Sequence, residues 1–197
     1  MAGEDSQLIG QIGLHNAKRW LDKSTRVAKA WSHEDLGLKE LLEFTWPHDN
    51  SFSFDLGGQF RGEKLEGQYF LAEIKNYKSE SNLPEHYRSF LAKCYVAFTK
   101  KPQLCDHFLW ISWSPFQARK WDHHTTAATV KESVLHERKR IFDTDDQGQA
   151  LALLDVAAVS AVADRLWLIT LCDKQLQLVL SPEHHGEVLK LMKVNEG

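Results

Sequence analysis

The segment Tyr69-Phe70-Leu71-Ala72-Glu73-Ile74-Lys75 constrains the fold more than any other. Side chains alternate faces along a strand, so apolar residues on both faces of 69–72 call for a central strand covered on each side. The run ends with Glu73 and Lys75 on one face and Ile74 on the other. A carboxylate and an ammonium at the end of a buried strand are costly unless they are paired or hold a metal. Upstream lies a second short segment, Ser51-Phe52-Ser53-Phe54-Asp55-Leu56, followed by glycines at 57, 58, 62 and 67 that can turn the chain. An antiparallel hairpin of the two segments returns Asp55 beside Glu73.

Two carboxylates and a lysine at a shared strand end suit metal-assisted phosphodiester hydrolysis. Carboxylates hold hard cations such as Mg²⁺, the cation polarises phosphate and acidifies a bound water, and a lysine can orient that water or help deprotonate it. In Asp55 and Glu73-Ile74-Lys75 the chain resembles the PD-(D/E)xK, or restriction-endonuclease-like, nucleases. The resemblance covers roughly residues 7–115 in element order, with its specific motif confined to 52–77. It implies an α/β fold, a restriction-endonuclease-like core with a mixed central β-sheet flanked by α-helices. It also implies Mg²⁺ or Mn²⁺ held by Asp55, Glu73 and the Ile74 backbone carbonyl, with Lys75 serving the nucleophile. The implied activity is that of an (endo)deoxyribonuclease acting on DNA in bacterial restriction, phage defence or mobile elements. A helicase or ATPase partner, or a homodimer, would complete it. Two alternatives stay open: a solvated Glu–Lys pair on a surface strand, and a nuclease-fold subunit that binds nucleic acid or scaffolds a partner without hydrolysis.

Composition narrows the setting. With 197 residues, 43% hydrophobic and 26% charged, the chain suits one domain over 1–197, its first five residues frayed. No apolar run is long enough for a membrane span, and the acidic start Met1-Ala2-Gly3-Glu4-Asp5 is unlike a secretory signal. Cys94, Cys105 and Cys172 are scattered without C-x-x-C spacing, which reads as reduced thiols in a cytoplasmic protein and offers no zinc site. The net charge of −3 means that DNA affinity must come from a local patch or a partner. Gly57-Gly58 is not a G-x-G-x-x-G phosphate loop, and Ser112 and Ser114 lack a G-x-S-x-G elbow.

Periodicity predicts a helix over 7–22 with Ile9, Ile12, Gly13, Asn16, Ala17, Trp20 and Leu21 on one stripe. The family resemblance puts an acid on this helix facing the metal; Asn16 stands in its place, unless it is a satisfied core amide. Residues 23–29 read as polar and irregular, and Ser32 as the N-cap of a helix over 33–44, from which Glu43 (or Glu40) could reach the site. A loop spans 45–50. Pro84 starts a helix to Phe98 with Tyr87, Phe90, Leu91 and Cys94 buried; Tyr87 and Tyr95 are the polar candidates on it, against core packing. A strand covers 107–113.

Beyond it, Arg119, Lys120, Trp121, His123 and His124 interleave basic and aromatic residues, a pattern that can hold phosphate and stack on a base. A helix over 129–142 carries the basic cluster Arg138-Lys139-Arg140, which reads either as a nucleic-acid footprint or as a solvated helix end. Asp143 to Gly148 lacks the closing Glu of a calcium loop and reads as a turn and cap. A helix over 147–165, a hairpin of 166–171 with 176–180, and a last helix over 182–194 with surface histidines 184 and 185 complete the expectation.

Overall fold

A computed structural model describes residues 2–24, 26–77 and 82–195. Seven strands are present among them: β1 (Val27–Ser32), β2 (Glu43–Thr45), β3 (Ser51–Ser53), β4 (Leu56–Phe60), β5 (Tyr69–Lys75), β6 (His107–Ser112) and β7 (Leu166–Thr170). The main helices are α1 (Ala2–Ser24), α2 (Leu83–Lys100), α3 (Ala127–His136), α4 (Arg138–Phe142), α5 (Gln147–Leu153), α6 (Val156–Ala163) and α7 (Pro182–Asn195). The central sheet runs β1-β4-β5-β6-β7, antiparallel across β1, β4 and β5 and parallel across β5, β6 and β7. It is therefore an α/β fold with a mixed five-stranded sheet flanked by helices.

β5 is central, and its alternation sorts two apolar layers. Leu71 joins Phe108, Trp110 and the buried stripe of α2 (Tyr87, Phe90, Leu91, Cys94) on one face. Phe70, Ala72 and Ile74 pack with Leu109, Ile111 and the α1 residues Ala17 and Leu21 on the other. Both faces are dry, as the unbroken apolar run at 69–72 requires. Among the described residues no helix is long and apolar enough to cross a membrane.

The turn between β4 and β5 occupies 61–68, where Gly62 and Gly67 adopt φ of 76°, a left-handed value that costs glycine nothing. Gly57 and Gly58 lie inside β4 and not at the turn, for a steric reason. A Cβ at Gly58 would stand 2.1 Å from Cζ of fully buried Phe70 and 2.8 Å from the Lys29 carbonyl of β1. Gly58→Ala is accordingly expected to destabilise the protein by about 3 kcal/mol, since neither the ring nor the backbone of β1 can retreat. Urea unfolding followed by Trp fluorescence measures it; a change within experimental error would mean that the two strands are looser than the packing implies.

Several expectations are corrected. α1 begins at Ala2, ahead of the helix start expected at residue 7. The stretch 23–29 is not irregular throughout, because β1 begins at Val27. The helix expected over 33–44 is absent: Gly37 at φ 79° interrupts it, a single 3₁₀ turn covers Lys39–Leu41, and Glu43 opens β2. Residues 51–53 pair with β2 and not with β5. The helix expected over 129–142 breaks at Glu137, and that over 147–165 breaks where Asp155 caps α6 by accepting from the Ala158 N–H. No hairpin follows β7; β7 pairs in parallel with β6, residues 175–178 form a 3₁₀ turn, and Leu178 is exposed. His185 is buried rather than on the surface.

Candidate active site

The register of the β4–β5 hairpin builds the site. Leu56 stands opposite Ala72, so Asp55, one residue before β4, comes opposite Glu73. The Asp55 N–H donates to the Ala72 carbonyl at 3.0 Å, and Asp55 Oδ2 accepts the Ile74 N–H at 2.7 Å. Trp113 N–H donates to the Lys75 carbonyl, which fixes that amide toward β6. Alternation then turns the Ile74 amide, carbonyl included, toward Asp55. The juxtaposition expected from the two segments is present, through a strand one step later than the sequence implied.

Glu73 and Lys75 lie on the α2 face of β5. Lys75 Nζ reaches Glu73 Oε1 at 2.8 Å, and a second ammonium, Lys93 Nζ on α2, reaches Oε2 at 3.2 Å and Oε1 at 3.4 Å. Lys93 also donates to the Ser53 carbonyl at 3.4 Å. Glu73 is 6% exposed. Burial by itself would raise its pKa, but the two lysines overcome burial and hold the carboxyl below its ordinary value. For Lys75, burial works against the charge, and Glu73 and Asp55 outweigh it, so its pKa lies above the usual ammonium value. Asp55 goes the other way: burial first, then the Glu73 charge, push it up to about 6.

Lys93 is the residue the sequence reading missed. Tyr87 and Tyr95, the polar candidates on that helix, are structural: the Tyr87 hydroxyl donates to the His124 carbonyl at 2.8 Å, and the Tyr95 oxygen accepts the Asp155 N–H at 3.1 Å. The available signal was spacing. On α2, His86 and Lys93 are seven positions apart and share a face, and Lys93 is a lone cation among Ala92, Cys94 and Tyr95. His86 stacks on Tyr77 with ring centroids 5.6 Å apart, and burial and then the nearby Lys75 charge lower its pKa.

Other candidates fall elsewhere. Asn16 is on α1, which packs against the opposite face of β5: a Cβ on Gly13 would strike Asn76, and Asn76 Nδ2 donates to the Ile9 carbonyl. Asn16 therefore does not join Glu73, whose side chain emerges on the α2 face. Glu43 is exposed on β2 and pairs with Lys39 at 3.2 Å. Arg138 is spent on the Asp145 and Leu135 carbonyls, and Lys139 on Asp143. Arg140 binds Asp49 and lies 4.7 Å from the Trp46 ring centroid, tying the β2–β3 hairpin to α4. Each side chain of the cluster is thus engaged by a neighbouring acid or backbone carbonyl. Arg119 and Lys120 remain exposed, their side chains without hydrogen bond or ion pair to the described residues.

The register thus puts Asp55, the Glu73 carboxylate and the Ile74 carbonyl at one strand end. Among the described residues no three His, Cys, Asp or Glu side chains gather as metal ligands, so a backbone carbonyl such as that of Ile74 is the kind of group that could add to the two carboxylates. A cation of the Mg²⁺ class takes few protein oxygens and fills its shell with water and phosphate. The donor set fits it, provided that the lysines share Glu73. A scan against protein-family models, a search of curated proteins and a search of solved structures found no match to this chain.

Proposed function

We propose that the chain is a Mg²⁺- or Mn²⁺-dependent nuclease that hydrolyses phosphodiester bonds in DNA. The observation that carries this reading is the register that sets Asp55 against Glu73, with Asp55 tied to the Ile74 N–H. In this reading Asp55, Glu73 and the Ile74 carbonyl would hold the metal, whose contribution is to polarise the phosphate and acidify water. Lys75 orients the attacking water at Glu73 and neutralises charge developing on the phosphate. Lys93 fixes the Glu73 carboxylate from the helix side, so that its free electron pairs face the strand end. The low Glu73 pKa keeps it an ionised acceptor at neutral pH.

A second reading is a nuclease-fold subunit that binds nucleic acid or scaffolds a helicase or ATPase without cutting. What favours it is that both Glu73 oxygens already carry an ammonium and that Asn16, and not an acid, stands on α1, on the other face of β5. Cleavage of linear, circular and single-stranded DNA and of RNA in Mg²⁺, Mn²⁺ or EDTA separates the two. The first reading expects metal-dependent cutting that falls about 100- to 10,000-fold in Lys75→Ala and is lost in Glu73→Ala. Wild type that neither cuts nor binds metal by calorimetry would leave the second reading standing.

A further inference from the structure

A cleft of about 460 Å³ opens between the start of α2, the 3₁₀ segment Ala118–His123 and α3, and no role in the Asp55–Glu73 site accounts for it. Its wall carries Arg88, Arg119, Lys120, His123 and His124, with Glu132 as the opposing charge. The cations come from two separate elements, yet the side chains of both arginines and of Lys120 make no hydrogen bond or ion pair to the described residues. Cations left unpaired around a concave surface are unlike the basic cluster on α4, where neighbouring acids or carbonyl groups take up each side chain. His124 adds a separate observation. It is 5% exposed, and its Nε2 is buried without a partner among the described residues. Its ring also packs on Phe116, with ring centroids 4.6 Å apart, which sets its orientation. A buried polar nitrogen left unpaired is costly, and the charge of an anion held in the cleft that His124 lines favours the protonated ring.

The cleft shares an edge of the sheet with the candidate active site. β5 and β6 are parallel, Lys75 pairs with Ser112, and the chain leaves Ser112 directly for the 3₁₀ segment. α2 begins just past β5, so Arg88 lies at the same edge. Arg88 and Lys93 are five positions apart, about 140° around the helix, so the cleft lies around the helix from Glu73. The two sites thus face different sides of α2. We propose that this cleft is an anchor for the phosphodiester backbone of a nucleic acid strand, gripping a phosphate some nucleotides away from the one at Asp55 and Glu73. This deepens the function proposed above and rests on its nucleic-acid substrate.

The test is fluorescence anisotropy in EDTA with labelled oligonucleotides of roughly 20 nucleotides, as single-stranded DNA, duplex DNA and RNA, over salt from about 50 to about 200 mM. Wild type is compared with Arg119→Glu/Lys120→Glu and with Arg119→Lys/Lys120→Arg. Both residues are exposed, and a thermal melt checks that the fold is kept. The charge reversal is expected to weaken binding at least about tenfold and to make the log–log salt slope shallower by about two, while the charge-conserving pair retains both. Unchanged affinity and slope, or no nucleic acid bound by wild type, would overturn the anchor. Cutting that depends on Glu73 with binding indifferent to the reversal defeats the anchor and leaves the nuclease. Reversal-sensitive binding by a wild type that never cuts in Mg²⁺ or Mn²⁺ does the opposite.

Discussion

Glu73→Gln is expected to lower the unfolding free energy of the metal-free protein by about 3 kcal/mol at pH 7. Glutamine keeps the volume and one acceptor oxygen but removes the charge that Lys75 and Lys93 both touch. The two ammoniums, 17% and 18% exposed, are then left facing each other across a neutral amide. Removing one member of a buried ion set costs far more than the set contributes when intact, because the survivors stay desolvated. Lys93→Met in the same background should recover part of the loss, since methionine matches the lysine stem and carries no charge. A double-mutant cycle on guanidinium unfolding curves gives the coupling, expected to be at least about 1 kcal/mol. The pH dependence follows from the lowered pKa. Glu73 contributes stability that is present above its unfolded value and lost as pH falls through its folded value, so wild type and Glu73→Gln converge in acid. Equal stability at pH 7 would mean that the lysines reach water freely and that Glu73 is not the hub of the site.

The parts of the fold that were legible in the sequence are those in which one periodicity held without interruption. β5 announced itself through Tyr69–Ala72, α2 through Pro84 and its apolar stripe, and β6 through its aromatics. The meeting of the two carboxylates was legible because strand alternation and a turn rich in glycine suffice to return Asp55 to Glu73. β1 was not, because its register shifts between Val27 and Lys29, so inward residues no longer alternate cleanly, and as an edge strand it needs fewer of them. The segment 33–44 carries a helix-like cap, with Asp35 Oδ2 accepting the Ser32 N–H, and leucines at helical spacing. The left-handed Gly37 decides against the helix. The apolar run at 176–180 lost its expected strand because β7 takes its partner from β6, a long-range pairing invisible to local pattern. Lys93 escaped for a related reason. A lysine amid an apolar helix stripe reads as a solvated flank until the strand that faces it is known to end in a carboxylate.

Asp55→Asn should move stability the other way. With the Asp55 carboxyl held near 6 in the folded protein against 3.8 for the ordinary side chain, the native state binds the proton more tightly than the unfolded chain does. Stability then falls as pH rises from about 4 to about 6 and levels off above, a loss of roughly 2–3 kcal/mol for two pKa units. Asparagine removes that loss and still accepts the Ile74 N–H through its side-chain oxygen, so the hairpin end stays tied. In EDTA the variant is expected to be more stable than wild type by about 2 kcal/mol at pH 8 and nearly equal to it at pH 4. Chemical unfolding at the two pH values measures the difference. The substitution also leaves the strand end without one of its two carboxylates, so added Mg²⁺ should raise the melting temperature of wild type and leave the variant where it was. A stabilising loss of charge coupled to a loss of metal response is the signature of a carboxylate held for chemistry at the expense of the fold. An Asp55→Asn protein less stable than wild type at pH 8 would mark Asp55 as a structural anion instead, and would remove the ground for a metal at this strand end.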